Sequence, residues 1–380
     1  MRTRLVPLVA GGLLLPGLLA TAAPAAGTPT HQRAASVPAS ASESWATWVP
    51  GPAIPARGEL TAVTAWPSAN DLVAFGVDPT SDRTYAYGWD AHDQTGKAPH
   101  RVAVPDVGRV LDAEADWAVG EKGILRYVDG VWRAMPVVTA PGTRTRLTRV
   151  GVGSGEAWAV GVQTSVRDRA VRHSGRGVLQ RWDGKAWRGV PIPTHLLGAQ
   201  SELTALTVGA DVLVFGVDHT RRGGQTVALR YAGTTWTKVA VPTRPGYVDH
   251  LTTASYNDVG GWTAPVGDPS DRRPVLYRMN PETGALTPTR VPAPARGEVS
   301  AVTLDYGVPV AVGNSAAGSP FALRSSFADD GYGPWTPESI KPSRGRVYAT
   351  EGMIVGDLFA VGYQQVGTHR KPVVFEYLLK

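Results

Sequence analysis

Three apolar patterns recur along this chain in a fixed order. The first is an alternating run. It reads LTAVTA from Leu60, VLDAEA from Val110, LTRVGV from Leu147, LTALTV from Leu203, VDHLTT from Val248, VSAVTL from Val299 and VYATEG from Val347. Alternation of this kind predicts a strand with one face against a core. The second pattern is nearly all apolar and closes on glycine. Its copies are DLVAFGV from Asp71, DWAVGE from Asp116, EAWAVGV from Glu156, DVLVFGV from Asp211, VPVAVGN from Val308 and DLFAVGY from Asp357. The closing residues are Gly76, Gly120, Gly161, Gly216, Gly313 and Gly362. In a seventh copy, DVGGWTA from Asp258, Thr263 is expected to replace the glycine. A buried strand ending on glycine fits a place where backbones crowd. The third pattern is a hairpin, seen in ILRYVDGVWRAMPVV (124–138), GVLQRWDGKAWRGVPIP (177–193) and ALRYAGTTWTKVAVP (228–242). Asp-Gly between apolar runs favours a tight turn, because both residues tolerate positive φ. Each hairpin pairs an aromatic with a later tryptophan: Tyr127 with Trp132, Trp182 with Trp187, Tyr231 with Trp236. On buried strands these aromatics are expected to be core rather than a sugar platform.

No stretch of the chain carries a helical period, so the fold class is all-β. Each repeat reads as four strands, a to d, with d ending in a Val-Pro segment. Successive copies lie about 40 to 55 residues apart, the period of propeller blades. Seven copies of strand b predict a seven-bladed β-propeller over residues 45–380. The last repeat stops after strand c. The N-terminal WATWVP (45–50) resembles the missing strand d and is expected to close the ring against the C-terminal blade. Closure removes two sheet edges that would otherwise invite aggregation.

Composition places this domain behind an export signal. Arg2 and Arg4 precede an apolar run and then small residues, so residues 1–26 read as a secretory signal peptide. The run is short and broken by Pro7 and Pro16, which argues against a membrane span in the mature protein. Residues 27–44, rich in Ala, Ser, Pro and Thr, read as a flexible linker. The chain of 380 residues has no cysteine, which excludes disulfides and thiolate chemistry, and its net charge of +6 falls to +4 once Arg2 and Arg4 are removed. That charge is modest, and the loops lack interleaved aromatics, so nucleic-acid binding is not expected.

The strand-b run ending AVG or VFG, the Tyr or Trp of strand c, the Trp of strand d and the Val-Pro ending together resemble secreted actinobacterial propellers of the kelch and galactose-oxidase-like superfamily. Kelch repeats usually carry a Gly-Gly doublet in strand b, and Gly260-Gly261 is the doublet present, so the resemblance is to a divergent cousin. Galactose oxidase needs a Tyr crosslinked to Cys at copper. Without cysteine that activity does not carry over, and no cofactor is expected.

In such a propeller the d–a and b–c loops surround one mouth of the central channel. The d–a loops share a motif: PARGEL (55–60), PARGEV (294–299) and PSRGRV (342–347). Arg57, Arg296 and Arg344 are therefore equivalent. Arg109 and Arg346 follow at a second equivalent place, and PGTRTRL (141–147) adds Arg144 and Arg146. The b–c loops contribute Arg167, Arg169, Arg172, Arg221, Arg222, Arg272, Arg273 and Arg370. A guanidinium fork suits carboxylate and phosphate, and a concave basic surface concentrates acidic partners. Arg149, on strand a, is expected to join them. The other polar residues of strand a include Asp112, Glu114 and His250, the weak candidates for acid–base catalysis. No metal-ligand spacing is present. The acidic loops 78–82 and 268–271 leave calcium open.

The leading expectation is a secreted, monomeric, non-catalytic binding module for acidic glycans, cell-wall polymers or another extracellular protein. The rival is a polysaccharide hydrolase or lyase at the channel mouth. Asp112, Glu114, Arg149 and His250 gathered in one pocket would favour the rival. An open, uniformly basic mouth would favour the binder.

Overall fold

The structure, a computed structural model, describes residues 46–379 except 66–70, 91–97, 154, 168–174, 221–222, 256–257, 281, 306–307, 329–330, 339, 341–343 and 353–357. The expected signal at 1–26 and linker at 27–44 lie outside these residues, as do Arg169, Arg172, Arg221 and Arg222. The described residues form seven four-stranded antiparallel sheets and no helix. Blade 1 comprises Glu59–Ala65, Asp71–Val77, Thr84–Asp90 and His100–Val102, paired in chain order. The inner strands of blades 2 to 7 are Val110–Glu114, Thr143–Gly153, Ser201–Val208, Tyr247–Ala254, Gly297–Asp305 and Gly345–Gly352. Blade 7 takes its outer strand, Ala46–Pro50, from the other end of the chain, where it pairs with His369–Leu379. The protein is thus a seven-bladed β-propeller whose last blade is completed by an N-terminal strand. Trp48 stands opposite Tyr377 with ring centres 5.1 Å apart. Its indole Nε1 donates to Glu338 of blade 6 at 3.1 Å.

The apolar patterns explain where the core sits. Alternating and all-apolar strands present both faces of each blade to its neighbours, so the core is a set of layers between blades. One layer joins Leu60, Leu72 and Trp89 of blade 1 to Phe359, Val361 and Val374 of blade 7. Another joins Trp117 and Ile124 of blade 2 to Leu147, Trp182 and Trp187 of blade 3.

Every inner strand slips register once, at the same place. The slip falls after Leu60, Val110, Leu147, Leu203, Leu251, Val299 and Val347. Each of these residues pairs with a glycine of strand b: Gly76, Gly120, Gly161, Gly216, Gly261, Gly313 and Gly362. The fifth blade therefore keeps its glycine, and the expectation that Thr263 replaces it is corrected. DVGGWTA is offset by two residues from the other copies. Its leading Asp258 is drawn into the sheet opposite Arg278, a place held by Trp158 and Leu213 in blades 3 and 4. The need for glycine is steric. A Cβ on Gly261 would lie 2.0 Å from the His250 carbonyl oxygen, and one on Gly362 would lie 1.8 Å from that of Arg346.

In blades 3, 4 and 5 the extra residue at the slip ties one blade to the next. Thr148, Thr204 and Thr252 donate their hydroxyls to the carbonyls of Leu203, Leu251 and Val299, at 3.0, 2.5 and 3.4 Å. Between blades 6 and 7 the side-chain amide of Asn314 does this work, meeting both the carbonyl and the N–H of Val347 at 2.7 and 2.8 Å.

Candidate functional site

All seven inner strands line a central cavity of about 370 Å³. It runs from the level of the slips (Leu111, Ser300, Tyr348) to the far ends of the inner strands (Val208, Ser255, Leu304). Arg149 crosses it. Its Nε donates to the carbonyl of Thr252 in blade 5 at 2.8 Å, and its Nη1 donates to the carbonyls of Leu111 in blade 2 and Thr148 at 3.0 Å each. Arg149 is thus a brace inside the channel rather than a member of a basic mouth, because three inward-facing carbonyls absorb its donors.

Asp112 and Glu114 lie in the same cavity. Asp112 Oδ2 accepts the Val150 N–H at 2.9 Å, and Glu114 accepts that of Val152, so both carboxyls staple blade 2 to blade 3. They meet solvent only through the narrow channel. Burial raises Asp112 to about 6 against the pull of Arg149. Burial, with some repulsion from Asp112, raises Glu114 to about 8. His250 does not join them. It sits at the other mouth, stacked on Trp262 with ring centres 3.8 Å apart, and Arg272 lies over the same indole at 4.3 Å.

The mouth formed by the d–a and b–c loops has two tiers. These loops share a face: Gly58 N donates to Arg370 O at 3.2 Å, and Gly297 N to Arg272 O at 2.9 Å. The inner tier is the residue that precedes the glycine-paired Leu or Val at each slip, namely Glu59, Arg109, Arg146, Glu202, His250, Glu298 and Arg346. Three Glu balance three Arg there, so the mouth is not uniformly basic at this depth. Glu59 is the most enclosed, with its side chain 4% exposed, and it binds Arg109, Arg370 (3.0 Å) and the Tyr348 hydroxyl (3.1 Å). Arg109 also lies over the Tyr348 ring at 4.8 Å. Two further carboxylates are shared in the same way. Glu298 meets Arg272 and Arg346 at 3.4 and 4.0 Å, and Asp271 meets Arg273 and Arg296 at 2.8 and 3.0 Å.

The outer tier, two residues earlier in the chain, holds Arg57, Arg144, Arg296 and Arg344. All four are exposed. Arg57, Arg144 and Arg344 make no ion pair among the described residues. The two acidic loops cap themselves. Asp78 Oδ1 accepts the N–H groups of Thr80 and Ser81 at 2.8 and 3.1 Å, and Asp268 Oδ1 accepts the N–H and hydroxyl of Ser270 at 3.1 and 2.6 Å. Backbone bonds hold Asp78 below the usual carboxylate range, and bonds to Ser270 do the same for Asp268. Among the described residues no group of three or more His, Asp or Glu is placed to hold a metal ion.

Sequence reading missed a second charged series. Strand c of blades 2 to 5 carries Arg126, Arg181, Arg230 and Arg278, paired with Asp116, Glu156, Asp211 and Asp258 at the head of strand b. The signal was present in ILRY, LQRW, ALRY and LYRM, where an arginine adjoins the end of the apolar run. These pairs line the face opposite the loop mouth.

Comparison with known proteins adds the fold alone. No family profile and no curated protein matches the chain. Its fold is similar to that of YCF48 from Cyanidioschyzon merolae, with a TM-score of 0.53 and 13% identity, over 87% of this chain and 98% of that one. It is also similar to the extracellular domain of BT4673 from B. thetaiotaomicron, with a TM-score of 0.50 and 9% identity, over 87% of this chain and 39% of that one.

Proposed function

We propose that this propeller is an exported, non-catalytic binding module, a divergent relative of the kelch and galactose-oxidase-like group, that holds an anionic partner on the d–a and b–c loop face. The partner is an acidic glycan, a wall polymer or the acidic surface of an extracellular protein. The observation that carries this reading is the charge ratio at the rim. Glu59, Glu298 and Asp271 each face two guanidiniums, and Arg57, Arg144 and Arg344 stand exposed beyond them. Arginines already oriented by a shared carboxylate keep unused N–H groups for a carboxylate, sulfate or phosphate.

The enzymatic reading is weaker for a geometric reason. Arg149 spans the channel that Asp112 and Glu114 line and fills space a polymer would need. His250 lies apart from both, and each carboxyl is bonded to backbone N–H groups of blade 3.

The test is binding of the secreted protein to polygalacturonate and to neutral dextran, beside a variant with Arg57, Arg144 and Arg344 all changed to Ala. The expected result is salt-sensitive binding to the acidic polymer, weakened at least tenfold in the variant, or about 1.4 kcal/mol. Equal binding to dextran, or an unaffected variant, overturns the proposal.

A further inference from the structure

The junctions between blades 2 and 3 and between blades 3 and 4 have the same plan, and comparing them exposes a site. At the first junction Arg126 lies over Trp117 at 4.9 Å and over Trp182 at 5.1 Å, and it pairs with Asp116. Trp117, Trp182 and Trp187 are 2, 7 and 3% exposed, so this junction is filled. At the second junction Arg181 takes the place of Arg126, Trp158 that of Trp117, and Glu156 that of Asp116. Trp182 is replaced by the smaller Tyr231, and Trp187 by Trp236. Loss of one indole opens the junction. Tyr231 and Trp236 are half-buried rather than buried. Arg181 is 43% exposed at its side chain against 30% for Arg126, and among the described residues it lies over one ring, Trp158 at 5.3 Å.

The opening is a groove on the face opposite the loop mouth. It comprises two adjoining hollows of about 580 and 280 Å³ that share Glu156, Arg181 and Tyr231. Its accessible aromatic ring is the half-buried Tyr231, backed by the buried Trp158 at 5.7 Å and by Trp236 at 4.8 Å. Its polar groups come as neutralised pairs, Arg181 with Glu156 and Arg188 with Asp183. The Nε of Arg181 is buried and has no hydrogen-bond partner among the described residues.

We infer that this groove between blades 3 and 4 binds a neutral pyranose residue. The reasons are chemical. The paired charges cancel, so the groove does not select an anion. A guanidinium edge and a carboxylate side by side supply donor and acceptor for adjacent hydroxyls. The partly exposed Tyr231 ring beside them offers an apolar surface to the C–H face of a sugar ring. The volume lies within the range of small-ligand pockets, about 300–1,000 Å³. The site is separate from the basic rim, so it stands whether or not the rim binds an anion.

The experiment uses the full chain with methyl glycosides of glucose, galactose, mannose, fucose, rhamnose and xylose, read by saturation-transfer NMR and tryptophan fluorescence. At least one glycoside is expected to bind with an affinity that added salt leaves unchanged. Tyr231→Trp restores the ring that fills the preceding junction. It is expected to fold, to melt at or above the wild-type temperature, and to bind at least tenfold more weakly. Arg181→Lys keeps the charge, removes the fork and is expected to weaken binding as well. The Arg57, Arg144 and Arg344 triple variant is expected to bind these glycosides normally. No glycoside binding by the wild type overturns the inference, and so does binding that survives Tyr231→Trp in a folded protein.

Discussion

At the residue scale the glycine of strand b explains why the repeat tolerates so much change elsewhere. It sits against a carbonyl turned toward it by the bulge of strand a, and no side chain fits in that gap. Gly261→Ala is expected to cost more than about 2 kcal/mol, because backbone must move to relieve the contact. Thr263→Gly is expected to cost much less. Thermal melting of both variants checks the assignment, and a larger loss for Thr263→Gly would reverse it. Most of these glycines were legible as an AVG or VFG ending. Gly261 was not, because an acid at the head of its run suggested the wrong alignment. Buried Asp258 is tolerated there only because Arg278 meets it at 3.1 Å.

The channel carboxyls carry a pH signature. A carboxyl whose folded pKa is raised binds its proton more tightly in the native state. Its stabilising effect is complete below the unfolded value and is lost as pH rises through the folded value. For Glu114 that window runs from about 4.5 to about 8, and Asp258, raised to about 7 by burial, adds to the same trend. The melting temperature is therefore expected to fall by roughly 1.5–3 °C between pH 5 and pH 8.5, from about 1–2 kcal/mol in a domain of this size. Glu114→Gln removes part of that slope. An unchanged profile in Glu114→Gln would mean that this carboxyl is hydrated through the channel.

At the scale of elements, the N-terminal strand decides whether the ring is closed. Trp48 is 4% exposed and spans two blades through Tyr377 and Glu338. Trp48→Ala is expected to cost about 3–5 kcal/mol, the usual range for a buried indole. Deletion of Ala46–Pro50 is expected to abolish a single cooperative transition in calorimetry, and a deletion mutant that melts like the parent would contradict closure. The strand was legible because WATWVP shares its Val-Pro ending with strand d of blades 1, 3, 4 and 5. The cross-blade bonds of Thr148, Thr204 and Thr252 were not, since a threonine in a strand carries no mark of the register slip that aims it at the next blade.

At the scale of the whole molecule, the sequence revealed which arginines share a position but not what each one meets. Arg149 was grouped with the mouth arginines and instead braces the channel, because a register slip and the ring geometry bring three carbonyls to it. Arg296 and Arg109 were grouped with Arg57 and Arg344, yet each shares a carboxylate supplied by another blade. Contacts between repeats depend on long-range geometry, which spacing within a repeat does not encode. What survives as an accessible cation is the outer tier of Arg57, Arg144 and Arg344, set above an inner tier in which Glu and Arg balance.

That contrast gives the most direct test of the anion-binding reading. The affinity for polygalacturonate would be measured across a range of salt concentrations for the wild type, for the Arg57, Arg144 and Arg344 triple variant, and for Arg133→Ala, an exposed arginine beside the c–d turn of blade 2 on the opposite face. Release of bound counterions makes the logarithm of affinity fall linearly with that of salt, by roughly one unit of slope per charge engaged. The account expects the triple variant to lose about 2 to 3 units of slope and Arg133→Ala to lose little. A flat salt dependence in the wild type, or equal slopes in all three proteins, would contradict it.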